Sequence, residues 1–397
     1  MRIKQNDLLI FTGLFLIPYV LHSLGLTSSW TLGFIISFLL YFLKTYINKN
    51  NLNWDPLIVG IVNFVFLISF FMSPFENSTE IIFKSFGKLV TINLLMVYAF
   101  SIGKYIELID LNKLIKFSER LIIVSSLSAI LLNIFNIDIF FNDQALRRVF
   151  YFVELSHFAI AFCPLYILCS RYSKEISLVI IFSLNIVLLA LYQNLTLVIV
   201  LLISALFIFR RIISNKLLIL STILIFTISV PSYFLLTSEY YLQRLSLNSD
   251  NLSLLLISDR FQKSIYTIKD GPFFGYGFDK AKLANNFFKK NNFKQNAILT
   301  AIEEGEEEEI GFSSAIAYKY VVENGLFGLL IIFPFYLKFL LRFIRIQLKG
   351  IKKISKNEFI FSLLFISSFI QFFFRGGGYI SSGLIYFIIA ISINKYK

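Results

Sequence analysis

The sequence predicts an all-α, polytopic integral membrane protein with about twelve transmembrane helices. Of its 397 residues, 57% are hydrophobic and only 15% are charged, whereas soluble globular proteins carry about 25% charged residues. Apolar runs of about 20 residues, the length that crosses a bilayer as a helix, recur along nearly the whole chain. Lys and Arg are unevenly shared between the segments that separate these runs, and this asymmetry predicts the orientation.

The apolar runs locate the individual spans. The first run, Leu8 to Leu24, has no small-residue cleavage site, so it is predicted to be a span and not a signal peptide. Runs 176–192 and 195–209 almost touch, so the number of spans ranges from ten to twelve. The predicted spans are 8–24, 26–43, 56–72, 89–103, 121–137, 155–170, 176–192, 195–209, 217–236, 314–337, 358–374 and 379–393.

The distribution of basic residues predicts that both termini are cytoplasmic. With the N-terminus inside, the seven inner segments hold 22 Lys and Arg residues, and the five short outer segments hold 5. The outer segment 237–313 holds 9, but long loops escape the positive-inside rule. The net charge of +13 therefore reflects membrane orientation and not a nucleic-acid partner. Three regions follow: a bundle over 1–236, a large external loop over 237–313, and C-terminal spans over 314–397.

The core of the long loop is predicted to contain an amphipathic helix. Phe261, Ile265 and Ile268 follow helical spacing, with Arg260 and Lys263 beside them. This pattern is typical of a helix that lies on a membrane surface with its apolar side toward the lipid.

Turn-forming residues follow this helix. Gly271 and Pro272 are predicted to end it, and Gly275 and Gly277 flank Tyr276 in a turn-rich stretch. The acidic run 303–309 is predicted to be a solvated loop. A divalent-cation site is the alternative, although hard cations prefer converging oxygens to a linear run.

Ionisable residues at the predicted outer boundary are the candidates for chemistry. Such groups are costly at a membrane unless they pair or act, and arginine offers a fork of donors that suits phosphate. If the sixth span extends backward as a helix, Arg147, Glu154 and His157 share one face. The full set is Arg147, Arg148, Glu154, His157, Arg260, Lys319, Glu323 and Arg375.

Each candidate also has a structural interpretation. The Arg147–Arg148 pair would anchor the span at the interface, and Glu154 would stabilise a helix start. His157 would donate a hydrogen bond between helices. Lys319 and Glu323, four residues apart, would neutralise each other, and Arg375 would be a turn residue beside three glycines.

Familiar soluble-enzyme motifs do not occur in the sequence. There is no CxxC, HExxH, P-loop or GxSxG pattern. Cys163 and Cys169 lie six residues apart in one predicted span, on different helix faces, so no disulfide is predicted.

Three stretches, taken in order, resemble the bacterial O-antigen polymerase and O-antigen ligase superfamily of membrane glycosyltransferases. "RRVFYFVELSHFAIAF" resembles an R-x-x-G-x-x-x-E-P-S-x-x-A element through Arg147 and Glu154, with Phe150 and Leu155 in place of its glycine and proline. "SDRFQKSIYTIKDGPFFGYGF" resembles an Arg followed by P-x-x-G-x-G: Arg260, Pro272, Gly275 and Gly277. "YVVENGLFGLLIIFPF" resembles an E-x-G-x-x-G opening: Glu323, Gly325 and Gly328.

The resemblance implies transfer of a growing glycan from one undecaprenyl diphosphate carrier to a repeat unit on another. The arginines Arg147 and Arg260 would neutralise the leaving diphosphate, and Glu154 or His157 would orient or deprotonate the attacking hydroxyl. The expected diphosphate or glycan contacts are Arg148, Arg375, Tyr276, Lys319 and Glu323, and the loop-shaping residues are Pro272, Gly275, Gly277 and Gly325. No metal or nucleotide cofactor is implied. The implied partners are lipid-linked oligosaccharides and membrane lipid, with a chain-length regulator protein as a further candidate.

One departure favours a polymerase over a ligase. Ligases of the superfamily typically carry a His-Asn shortly before the Glu of the third stretch, where this chain has Ser313 and Ser314. The expected location is the bacterial inner membrane, with the active site facing the periplasm or exterior. The alternatives are a ligase that transfers glycan to lipid A-core or protein, and a transporter or flippase of lipid-linked glycan. A transporter should show polar groups through the membrane midplane, where this sequence has only scattered asparagines such as Asn63, Asn93 and Asn185.

Overall fold

A computed structural model describes residues 55–108, 110–135, 155–192, 194–215, 252–280, 316–349, 353–373, 379 and 382–393, with four single positions, 225, 228, 284 and 288. Every regular element in this described part is a helix, which confirms the all-α class. The helices are α1 (Pro56–Phe71), α2 (Thr79–Leu108), α3 (Leu111–Ile134), α4 (Leu155–Tyr172), α5 (Glu175–Tyr192), α6 (Leu195–Asn215), α7 (Leu252–Lys269), α8 (Ile316–Leu348), α9 (Lys356–Phe373) and α10 (Ser382–Ser392).

The described helices include several that fit a membrane. Five are long and apolar enough to cross a bilayer, within α2, α3, α5, α6 and α8. Shorter apolar helices cover Pro56–Phe71, Phe158–Tyr172 and Gly383–Ser392. The chain therefore has the helices of a transmembrane protein. The predicted spans 8–24 and 26–43, and 217–236 apart from two positions, lie outside the described residues.

Helix boundaries confirm some predicted spans and correct others. The close pair 176–192 and 195–209 forms two separate helices, α5 and α6. The span predicted at 121–137 begins ten residues earlier, at Leu111, because the Asp110 carboxylate accepts a hydrogen bond from the Asn112 N–H at 3.0 Å and caps a polar first turn. Likewise, the 89–103 helix begins at Thr79, where the Ser78 hydroxyl accepts from the Ile81 N–H at 3.3 Å.

The described helices belong to two compact units. The first contains α3 to α6, the end of α2 and most of α9. Within it, α4 packs against α3 and α6, and α3 packs against α5. The Tyr166 hydroxyl donates a hydrogen bond to the Asn185 side chain, so this asparagine joins α4 to α5. Cys163 and Cys169 are both buried and free, which confirms that they form no disulfide.

The second unit contains α1, most of α2, α7, α8, α10 and the end of α9. In this unit α8 packs against both α7 and α1. Asn63 of α1 and Asn93 of α2 exchange two amide hydrogen bonds of 2.8 Å. The side chains of Asn63, Asn93 and Asn185 therefore join helices, as polar residues in membrane helices often do.

The Asn63–Asn93 pair yields a first prediction. Replacing either asparagine with Leu leaves the other amide without its partner, whereas replacing both restores an apolar contact. We expect a coupling energy of about 0.5–1.5 kcal/mol between the two sites, the range measured for hydrogen bonds between membrane helices. A double-mutant cycle on the purified protein, unfolded by SDS titration, measures it. Additive effects of the two substitutions would contradict the pairing.

Candidate functional site

Helix α8 is broken at Gly325, in the second unit. Gly325 has φ 59° and ψ −157°, so the chain leaves the helical path there and resumes it at the next residue. The span predicted at 314–337 is thus wrong in two respects: the helix extends to Leu348, and it is interrupted by this break. A break frees backbone groups that an intact helix would pair internally, and buried groups of this kind need partners.

The loop that follows α7 supplies these partners. Tyr276 N–H donates to Val322 O at 3.0 Å, and Gly277 N–H donates to Glu323 O at 2.9 Å. In return, Phe327 N–H donates to Phe273 O at 3.0 Å. We call this set of three backbone bonds the helix-break clamp. It joins two segments that are about fifty residues apart in the sequence.

Glycines make the clamp possible. The N atom of Gly275 lies 2.3 Å from where a Cβ on Gly325 would be, and the N atom of Gly325 lies 2.4 Å from where a Cβ on Gly275 would be. Gly275 and Gly277 also have positive φ, 75° and 105°. The predicted turn around Tyr276 is therefore confirmed, and α7 ends at Lys269, just before Gly271 and Pro272, as predicted.

A second loop, between α1 and α2, also forms hydrogen bonds with the loop that follows α7. The Ser73 hydroxyl donates to Tyr276 O at 2.6 Å. The Lys280 ammonium donates to Phe75 O at 3.2 Å and to the Asn77 side chain, and it lies 4.7 Å from the centre of the Phe70 ring. Burial lowers the pKa of this ammonium. Both loops belong to segments that the sequence predicts to lie outside the membrane. The structure shows that these two loops contact each other.

Helix α7 turns its polar side toward the protein. Arg260 is fully buried, and its buried neighbours Asp259 and Lys263 form a salt bridge of 2.7 Å. The Ser264 hydroxyl contacts Tyr318 O of α8 at 3.2 Å. The predicted apolar stripe of Phe261, Ile265 and Ile268 is exposed on the opposite side. The predicted helical spacing is thus confirmed. The packing of the polar face of α7 on α8 was not predicted.

A cluster of charged groups lies at the first half of α8. Lys319 Nζ is 3.6 Å from Glu323 Oε1, and the Tyr379 hydroxyl donates to Glu323 Oε2 at 2.8 Å. Nearby, Lys88 of α2 pairs with Asp279, a residue with φ 60°. We call these five residues the helix-break cluster. The sequence analysis anticipated the Lys319–Glu323 pair but missed the other three members.

No protein-family model, curated protein or solved structure matches this chain. The site is therefore defined by its own geometry.

The predicted site residues divide between described and undescribed parts of the chain. Arg147, Arg148, Glu154 and Arg375 lie outside the described residues. His157 is in the first turn of α4, but its side chain is not among those described. The second unit holds the remaining predicted residues, which are Arg260, Pro272, Gly275, Tyr276, Gly277, Lys319, Glu323 and Gly325.

Tyr276 has a mainly structural environment. Its ring is buried between Phe75, with centroids 6.0 Å apart, and Phe288, at 5.3 Å. Burial raises the pKa of its phenol. Its predicted contact with substrate would thus require the aromatic cluster to open.

Proposed function

We propose that this protein polymerises undecaprenyl-diphosphate-linked oligosaccharide units, as an O-antigen or capsule polymerase. It transfers the growing glycan to a new lipid-linked unit at the outer face of the bacterial inner membrane. The proposal includes about twelve spans, cytoplasmic termini and the three regions 1–236, 237–313 and 314–397. The reaction needs no metal or nucleotide cofactor. Its partners are the lipid-linked glycans, with a chain-length regulator protein as a further candidate.

The observation that carries this proposal is the helix-break clamp. Two of the three stretches that resemble the superfamily, P-x-x-G-x-G and E-x-G-x-x-G, bond to each other through their glycine-containing segments. A chance likeness in two distant stretches gives no reason for them to meet in space. Their contact supports the view that they form one functional unit.

Arg260 fits the chemistry of a diphosphate leaving group. In the proposed reaction, a sugar hydroxyl attacks the anomeric carbon and the bond to the diphosphate breaks, so negative charge grows on the phosphate oxygens. A guanidinium in a low-dielectric site stabilises such charge strongly. Arg260 is buried on α7, in the same unit as the clamp. The proposed arginine set also includes Arg147, Arg148 and Arg375. Glu154 or His157 orients or deprotonates the attacking hydroxyl.

A transporter of lipid-linked glycan is the second candidate, because broken helices often line transport sites. Here freed backbone groups of α8 bond to the loop that follows α7. Asn63, Asn93 and Asn185 also join helices through their side chains. Both observations favour the enzyme. A ligase would use the same fold and arginines, so product analysis must separate it from a polymerase.

A surface-glycan ladder tests the proposal. The gene is deleted in its host and complemented with wild type, Arg147→Ala, Arg260→Ala, Arg260→Lys or the control Arg345→Ala, an exposed arginine at the other end of α8. We expect deletion to collapse the ladder to single-repeat products, and only wild type and Arg345→Ala to restore it. Arg260→Lys keeps a charge but loses the planar fork, so it should also fail while reaching the membrane at normal levels.

Each competing outcome has its own pattern. Loss of surface glycan with polymer accumulating on the lipid carrier would indicate a ligase. Loss of glycan with single lipid-linked units held inside would indicate a transporter. An unchanged ladder after deletion would rule out all three.

A further inference from the structure

The helix-break cluster is balanced in charge. Lys88 and Lys319 contribute two positive charges, and Asp279 and Glu323 two negative ones. Within the described residues, Lys319, Asp279 and Lys88 are the charged groups that act on the Glu323 carboxylate. A set that already balances itself gains little from a further anion, such as phosphate, or from a metal cation. Its remaining binding capacity lies in hydrogen bonds.

Among the described residues, two acceptor oxygens at this site have no hydrogen-bond donor. Glu323 is fully buried, and its Oε1 has no hydrogen-bond partner among the described residues, since Lys319 Nζ stays at 3.6 Å. The same is true of Oδ1 of the next residue, Asn324, whose amide nitrogen donates to Tyr320 O at 2.9 Å. Buried acceptors without donors are costly, so the site is suited to a ligand that brings O–H groups.

An aromatic cluster includes two residues bonded to this pair, since the Tyr379 hydroxyl donates to Glu323 and the Asn324 amide donates to Tyr320 O. The ring of Phe66 lies 4.4 Å from Phe278, 5.2 Å from Tyr379 and 6.2 Å from Tyr320, measured between centroids. Binding sites for small molecules combine apolar, aromatic walls with a few well-placed polar groups. Carboxylate and amide acceptors beside such rings suit a molecule with both hydroxyl groups and apolar C–H faces, which describes a sugar.

We propose that the helix-break cluster, with Asn324, binds an uncharged sugar ring of the acceptor repeat unit through its hydroxyl groups. This deepens the proposed function and rests on it: the arginines take the diphosphate, and this separate place takes the glycan. Lys88 and Lys319 are partly exposed, with 29% and 13% of their side chains accessible, whereas Glu323 and Tyr379 are buried. Entry of the sugar therefore requires side chains around Glu323 to move.

Backbone geometry positions Asp279 within the cluster. Asp279 adopts φ 60°, a left-handed conformation that is uncommon for a residue other than glycine. Conformations of this kind cost free energy and persist where the surroundings demand them, often at functional sites. Here the turn brings the Asp279 carboxylate to Lys88 and into electrostatic range of Glu323.

A binding experiment that does not depend on activity tests this inference. The full-length protein is purified in lipid nanodiscs, and the probe is the repeat-unit oligosaccharide released from its carrier, without lipid or phosphate. We expect Tyr379→Phe and Glu323→Gln each to weaken binding about ten-fold or more, because Phe lacks the hydroxyl that donates to Glu323 and Gln replaces the charged acceptor with a neutral amide. Binding of inorganic diphosphate should be unchanged in both variants.

Matched controls separate binding from general damage. Tyr336→Phe removes another phenol of the same unit, and Glu358→Gln removes the carboxylate of another lysine pair; both should bind the oligosaccharide as wild type does. Unchanged oligosaccharide binding in Tyr379→Phe and Glu323→Gln would overturn the inference, as would loss of diphosphate binding instead, or no binding by wild type. The ladder fails or succeeds independently of this assay, so failure of the proposed function and failure of this inference are distinguishable.

Discussion

Replacing Gly325 with Ala is expected to disrupt the helix-break clamp, at a cost of about 4 kcal/mol or more, the range of the most damaging single substitutions. With φ 59° and ψ −157°, Gly325 occupies a region of backbone conformation that is essentially restricted to glycine. The added Cβ would also lie 2.3 Å from Gly275 N and 2.5 Å from Phe273 O. Both obstacles are backbone atoms held by the clamp, so no side-chain rotation relieves the clash.

SDS titration of the purified protein measures this loss in the free energy of unfolding. Unfolding is followed by the fluorescence of a dye attached at the C-terminus. Gly275→Ala should behave in the same way, because its Cβ would meet Gly325 N at 2.4 Å and Glu323 O at 2.5 Å. Gly60→Ala and Gly87→Ala are the matched controls. They lie in helices with nothing within 4 Å of the new methyl group, so they should be neutral or stabilising by up to about 1 kcal/mol. Equal effects at all four glycines would contradict the clamp.

The fold could be predicted from the sequence where the length and hydropathy of a single segment determine its helix. Apolar runs located α1 and α5 almost to the residue, and also the start of α6, which continues six residues beyond the predicted end, because length and hydropathy alone determine such helices. The early starts of α2 and α3 were missed, since their first turns are polar and depend on caps at Ser78 and Asp110. Hydropathy reports the apolar part of a helix, not its true end.

The candidate site could be predicted only in part, because it is assembled from distant segments. Gly325 lies inside a predicted span, and only the family resemblance marked it as a loop-shaping residue; nothing local shows that α8 breaks there. The break depends on a loop about fifty residues away that satisfies the freed backbone groups. Asp279 and Lys88 were likewise missed, because they are separated by 191 positions and their pairing is purely tertiary. A signal did exist: Lys88 ends a predicted outer segment, and Asp279 closely follows the glycine turn.

The amphipathic pattern of α7 predicted the helical period correctly, but it did not predict which side of the helix is buried. Spacing identified the apolar stripe of Phe261, Ile265 and Ile268, but the charged side was expected to face water. Instead, Arg260 and Lys263 are buried against the protein. In a protein bathed in lipid, exposed apolar residues are not penalised, so hydropathy does not tell which side of a helix faces the interior.

The second large loss of stability is expected for Asp259→Asn, on the buried face of α7. Asp259 and Lys263 form a 2.7 Å salt bridge with only 7% and 2% of their side chains exposed. Neutralising the carboxylate removes a counter-charge from a buried ammonium and leaves that ammonium in a low-dielectric environment. Breaking a buried pair in this way costs about 3–5 kcal/mol. The same SDS titration measures the loss, and Asp259→Glu, which keeps the charge, should recover part of it.

An exposed pair provides the comparison. Lys349 and Glu358 also form a salt bridge, but 40% and 20% of their side chains are exposed. Water screens that interaction, so Glu358→Gln should cost no more than about 1 kcal/mol. Replacing Asp259 and Lys263 together with Leu and Met should restore much of the stability, because two apolar side chains avoid the desolvation of two charges. If Asp259→Asn cost no more than Glu358→Gln, the polar face of α7 would be in contact with water, and the burial of Arg260 beside it would have to be rejected as well.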